Sequence, residues 1–147
     1  DLSLGDLDDI VGIARARKID GMIVGNTTIS RPPSLRDQAT AKQTGGLSGR
    51  PLYPLSTRML AETYVRVEDA FPLIGVGGID SGAAALGKIR AGADLVQLYS
   101  ALVYRGISLV GEIKTALFGA LDRGGAKKLS DLVGADAAAM TAESWPA

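Results

Sequence analysis

Leu73-Ile74-Gly75-Val76-Gly77-Gly78-Ile79-Asp80-Ser81 is the stretch on which the reading of the fold turns. Leu73 to Val76 is an apolar run too short for a helix, and it reads as a buried strand of a parallel sheet. Glycines end it. Asp80 or Ser81 can then cap a helix that runs through Leu86 and Ile89 and closes at Gly92. A strand, a glycine turn and a helix make one unit of a parallel α/β protein. Glycine at such a strand end lets backbone N–H groups approach a ligand with no Cβ in the way, and an anion is the natural guest for those donors. The plainer alternative is that Gly77 and Gly78 only make a tight turn.

The same unit repeats on both sides. Upstream, Leu7, Ile10, Val11 and Ala14 share one helical face, with Ser3 as a cap, Asp6, Asp8 and Asp9 in the first turn and Arg15, Arg17 and Lys18 in the last. Met22-Ile23-Val24 is a second buried strand, ending in Gly25-Asn26-Thr27-Thr28. Residues 27 to 50 form a long polar loop with Pro32, Pro33, Gly45, Gly46 and Gly49, and loops of that length in compact domains are usually functional. Leu55, Met59, Leu60 and Thr63 give another helical stripe. Downstream, Leu95-Val96-Gln97-Leu98 is a third strand, and at its end, Tyr99-Ser100, a short helical piece can aim further N–H groups at the same anion. Val110, Ile113, Leu117 and Leu121 mark a helix ended by Gly124-Gly125, and Lys127 to Val133 a last short one.

This alternation predicts α/β with parallel strands. Three strands cannot close a barrel, which needs eight and typically about 250 residues. If the parent is a (β/α)8 TIM barrel, residues 1–136 are part of its C-terminal half, followed by an Ala-rich, loosely held tail over 137–147 in which Trp145 is a packing or tail residue. An open half exposes strand edges and apolar surface, so the chain alone is expected to self-associate unless the missing N-terminal half is supplied.

Composition narrows the chemistry. Lys plus Arg and Asp plus Glu are 16 each, which leaves no electrostatic footprint for nucleic acid. With no His and no Cys, the usual zinc sites and any Ser–His or Cys–His pair are excluded within these residues, and no metal site is expected. Asn26 offers a donor and an acceptor suited to an amide or carboxylate on a planar ring, or else bonds its own backbone as a turn residue. Thr44-Gly45-Gly46-Leu47-Ser48-Gly49 is a glycine-rich stretch of backbone within the long loop. Ser48 has no visible base and is not assigned as a nucleophile. Lys88 and Arg90 lie on a helix face and read as solvated.

Together these segments resemble the dihydroorotate dehydrogenase family, in its class 2, quinone-linked branch. The resemblance is carried by Asp20-Gly21-Met22-Ile23-Val24, Asn26-Thr27-Thr28, Ser30-Arg31-Pro32, the loop from Thr44 to Leu52, Leu55-Ser56-Thr57, Ile74 to Ile79, Lys88 to Ala93, and Leu95 to Ser100. It implies an FMN-containing barrel that oxidises dihydroorotate to orotate in pyrimidine synthesis and passes electrons to a quinone. It implies that Asn26 and Thr27 contact the substrate. Gly25, Gly49, Gly77, Gly78, Tyr99 and Ser100 would contact FMN, mostly by backbone N–H to its phosphate. Gly25 departs from the family pattern, where Thr is frequent, so only a backbone contact carries over. The catalytic Ser, a Lys near the flavin, and the region that meets quinone at the cytoplasmic side of the membrane belong to the earlier half in this family. No catalytic residue is therefore expected here, and the chain alone is expected to be inactive. Class 1 enzymes, a related FMN barrel oxidoreductase, or a non-catalytic phosphate-binding half-barrel are the alternatives. Ser30-Arg31-Pro32 and Arg50-Pro51-Leu52 favour class 2.

Overall fold

A computed structural model describes residues 1–145. Residues 146 and 147, part of the expected tail, lie outside the described residues. Helix α1 (Leu4–Arg17) begins at a capping box: Ser3 Oγ accepts from the Asp6 N–H at 3.1 Å, and the Asp6 carboxylate accepts from the Ser3 N–H at 2.9 Å. Strand β1 (Met22–Val24) follows, then the long loop with a short helix α2 (Gln38–Ala41) inside it. A single 3-10 turn (Arg50–Leu52) leads into helix α3 (Tyr53–Val67) and strand β2 (Leu73–Val76). Helix α4 (Gly82–Arg90) starts where Ser81 Oγ accepts from the Ala84 N–H at 3.2 Å. Strand β3 (Leu95–Gln97), helix α5 (Ser100–Arg105), helix α6 (Ser108–Gly124), a 3-10 turn (Leu129–Leu132) and helix α7 (Ala137–Ala142) complete the order.

The strands run parallel in the order β1-β2-β3, with Ile23 opposite Ile74 and Gly75 opposite Val96. Met22, Val24, Leu73, Gly75 and Val96 alternate onto the helix side, where Leu7, Val11, Leu60, Val67 and Ile89 form the core. A second cluster, Ile79, Ala85, Leu109 and Ile113, locks α4 to α6. The other face of the sheet is open. Ile23 is 54% and Leu95 62% exposed, and among the described residues β1 and β3 each pair along one edge only. The expectation that these strands are buried on both faces therefore holds on one face here. In a closed barrel the second face points into the packed interior.

The segment expected to be a loose tail is anchored instead. Ala137 is buried, and Arg58 on α3 donates to the carbonyls of Thr141 at 2.9 Å and Glu143 at 2.8 Å. Arg58 is itself buried and paired with Glu62 at 2.9 Å, and its remaining N–H groups satisfy carbonyls left free at the end of α7. The Trp145 ring lies 5.1 Å from the Arg58 guanidinium, a packing contact. Arg90 is not simply solvated either, since it makes a two-pronged bond to Asp136 at 2.6 and 2.5 Å.

Candidate functional site

The C-terminal ends of the three strands open on one cleft of about 750 Å³. Gly25, Asn26 and Thr27 enter it from β1, Gly77 and Gly78 from β2, and Tyr99 and Ser100 from β3, while Gly49 comes in from the long loop. All eight residues singled out in the sequence thus line a single cavity.

The cleft gathers backbone donors. Among the described residues, the N–H groups of Gly49, Gly78, Ser100 and Ala101 find no protein acceptor, and all four residues line the cavity. Two glycines reach this arrangement differently. Gly49 has φ +73°, and a Cβ there would meet nothing closer than Ser100 Cβ at 3.8 Å, so only its backbone conformation demands glycine. Gly78 also has φ +73°, but a Cβ there would fall 2.6 Å from the Tyr53 backbone nitrogen. Gly78 is therefore glycine because the first turn of α3 presses against the strand end. Ser48 Oγ and Ser100 Oγ lie 3.1 Å apart and tie the loop to α5.

On the β1 side, Asn26 is exposed and its Oδ1 accepts from the Thr27 N–H at 2.8 Å. That is the self-backbone bond of the turn reading, and it leaves the Asn26 amide nitrogen free to donate into the cleft. The loop is held by Arg31. Its guanidinium donates to the carbonyls of Ala41 at 2.8 Å, Gln43 at 3.1 Å and Gly45 at 2.7 Å, and to those of Thr28, Ile29 and Ser30 near its own position. Thr28 and Leu47 exchange backbone bonds of 3.2 and 2.7 Å, closing the loop's base. At the rim, Arg50 pairs with Asp80 at 3.1 Å. Among the described residues no group of His, Cys, Asp and Glu is arranged to hold a metal.

Lys88 corrects the sequence reading. It is fully buried, not solvated, and its Nζ donates to Ser56 Oγ at 2.7 Å. The Ser56 hydroxyl bonds in turn to the Gly77 carbonyl at 3.1 Å. Burial pushes the Lys88 ammonium down to about 7. Burial also raises the Tyr53 phenol, which donates to the Ala84 carbonyl at 3.2 Å. Tyr53 did not stand out in the sequence, and Ser56 entered only within the Leu55-Ser56-Thr57 stretch, with no role assigned. The available signal was position: Lys88 lies on the same helical face as Ala85 and Ile89, the buried residues of α4.

Parallel β/α units whose strand ends converge on one cleft define the chain as part of a β/α barrel with its site at the C-terminal mouth. Comparison with known proteins fixes which barrel: the chain belongs to the dihydroorotate dehydrogenase family, whose model, described as "Dihydroorotate dehydrogenase", matches residues 1–121. It is 68% identical over 146 residues to a protein of Bradyrhizobium diazoefficiens named dihydroorotate dehydrogenase (quinone), covering 99% of this chain and 40% of that one. A Rhodopseudomonas palustris protein of the same name shows the same identity and coverage. The crystal structure of DHODH from Eimeria tenella in complex with ferulenol superposes with a TM-score of 0.86 at 39% identity, over 92% of this chain and 36% of that chain. The chain thus spans about 40% of the length of the curated relatives it matches. No helix among the described residues is long and apolar enough to cross a membrane.

Proposed function

We propose that this chain supplies the FMN-phosphate site and part of the substrate site of a quinone-linked dihydroorotate dehydrogenase, which oxidises dihydroorotate to orotate in pyrimidine synthesis. The observation that carries the reading is the convergence of free N–H groups from Gly49, Gly78 and Ser100 on one cleft beside Asn26. Preorganised donors of this kind suit a phosphate, because they need no rearrangement when the anion arrives. In this reading Gly25, Gly77 and Tyr99 border the cofactor without contributing side-chain chemistry. Asn26 donates its free amide N–H groups to the substrate ring or carboxylate, and Thr27 lies beside it. FMN, when bound, is the group that accepts the hydride. These residues bind and orient; the proton acceptor and the contacts to quinone and membrane are assigned to sequence outside them.

The test is a hybrid protein in which this chain replaces the corresponding 146 residues of the Bradyrhizobium diazoefficiens relative. It should purify yellow, with FMN bound, and oxidise dihydroorotate with a quinone as acceptor. Asn26→Ala in that hybrid should spare the flavin and raise the KM for dihydroorotate. A folded hybrid that holds no FMN, or that holds FMN but does not oxidise dihydroorotate, would overturn the proposal.

A further inference from the structure

We infer that Lys88 is a positioning residue for the anion site: through Ser56 it fixes the Gly77-Gly78 peptide, and its ammonium form places a positive charge behind the turn. The inference rests on the reading of that turn as a phosphate site and adds a residue that never touches the ligand.

The geometry makes the link. The Lys88 stem passes directly beneath β2, where a Cβ built on Gly75 would lie 3.2 Å from Lys88 Cβ. Its Nζ ends on Ser56 Oγ, which spends its own hydrogen on the carbonyls of Gly77 at 3.1 Å and Tyr53 at 3.2 Å. The Gly77 carbonyl and the Gly78 N–H belong to one planar trans peptide and point in opposite directions. Holding the carbonyl inward therefore aims the N–H outward, into the cleft that Gly78 lines. A cation at the inner end of this chain polarises the peptide and strengthens its outer donor.

Nothing else in the surroundings accounts for a lysine here. Ser56 and the Tyr53 ring, 5.2 Å from Nζ, face it from α3, Gly75 from β2, and Ala93 lies beyond α4. Among the described residues no carboxylate pairs with Lys88, and the Asp80 carboxylate acts on Tyr53 instead. An aliphatic residue would fill the same space, as Ala85 and Ile89 do on the same helix face. Lys88 needs a reason beyond packing, and an anion across the Gly77-Gly78 peptide gives one. Binding the anion favours the ammonium form, so ligand and proton reinforce one another.

The experiment compares FMN with riboflavin, which lacks the phosphate, in the hybrid holoenzyme stripped of flavin. Lys88→Met should weaken FMN binding roughly tenfold, the size of one pH unit of coupling, and leave riboflavin unchanged. It should also remove the tightening of FMN binding as pH falls from about 9 to 7. Ser56→Ala keeps the lysine but cuts the link, and should weaken FMN selectively too; it decides the matter if the Lys88 variant does not fold. Equal losses of FMN and riboflavin, or no loss of either, would overturn the inference. An unsubstituted protein that binds FMN no better than riboflavin would instead overturn the phosphate reading, and this inference with it.

Discussion

Replacing Lys88 by Met should make the protein more stable. A lysine ammonium in water titrates near 10.5, and burial lowers it here to about 7. At about 1.4 kcal/mol for each pH unit, keeping the charge at Lys88 costs the fold up to about 5 kcal/mol. The sign follows from proton binding. Between about pH 7 and 10.5 the unfolded chain holds a proton at this side chain that the folded chain has released, so stability rises with pH across that window. Below about pH 7 both states are protonated and the full penalty is present. Met keeps most of the stem's volume, and the Ser56 hydroxyl can still donate to the Gly77 carbonyl. The lost Lys88–Ser56 bond returns about 1 kcal/mol. A net stabilisation of about 2–4 kcal/mol near neutral pH remains, a rise in Tm of several degrees. Thermal melts of the hybrid and its Lys88→Met variant from about pH 6 to 9.5 measure it, and the gap between the two should narrow as pH rises. A variant that melts lower at every pH, or a gap of constant size, would refute the reasoning and make Lys88 an ordinary core residue.

Four further outcomes follow from the site and the sheet. Gly78→Val drives a side chain into the Tyr53 backbone, so the hybrid should lose both flavin and more than about 3 kcal/mol of stability in denaturant titrations. Gly49→Ala has open space before it and strains only its backbone, costing about 1 kcal/mol, so a much larger stability loss would mean that the loop packs more tightly than it does here. Arg31→Lys leaves three donors for the six carbonyls that Arg31 serves, so the loop should be cut faster by protease and the KM for dihydroorotate should rise with FMN content unchanged; unaltered cleavage would separate Arg31 from loop order. The 147-residue chain alone, with two unpaired strand edges and Ile23 and Leu95 exposed, should sediment as oligomers or aggregates, and a monomer that melts cooperatively would count against that expectation.

The strands and the larger helices were legible because each left a local mark. Ser3 caps α1 as its position before an apolar stripe said it would, Ser81 is the one of the two candidates, Asp80 and Ser81, that caps α4, and Gly125 ends α6 at φ +65°. The meeting of the strand ends on one cavity was legible as well, since glycines at successive strand ends of a parallel fold have one mouth on which to converge. What was lost depends on partners distant in sequence. The hold on α7 comes from Arg58, more than eighty residues away, and no periodicity within an Ala-rich segment reports that. Arg90 meets Asp136 across 46 residues. Lys88 was misread because charge outweighed position, although Ala85 and Ile89 mark its face of α4 as buried.

That misreading bears on where the ligand site is built. The residues that touch the cleft contribute mostly backbone, and backbone donors are only as good as the packing that aims them. Behind the glycine turn much of that packing comes from the first turn of α3: the Tyr53 backbone sits against Gly78, and Ser56 bonds the Gly77 carbonyl. Tyr53 reaches further to the Ala84 carbonyl on α4, and Lys88 returns from α4 to Ser56. The turn is therefore clamped between two helices by polar contacts as well as by apolar ones. The Lys88→Met change makes the clamp more stable, but it removes the group that holds Ser56 in place against the Gly77 carbonyl. On the proposed phosphate reading, affinity for FMN should then respond to substitutions at Ser56 and Lys88, which lie behind the turn, about as strongly as to changes in the loop that faces the cleft.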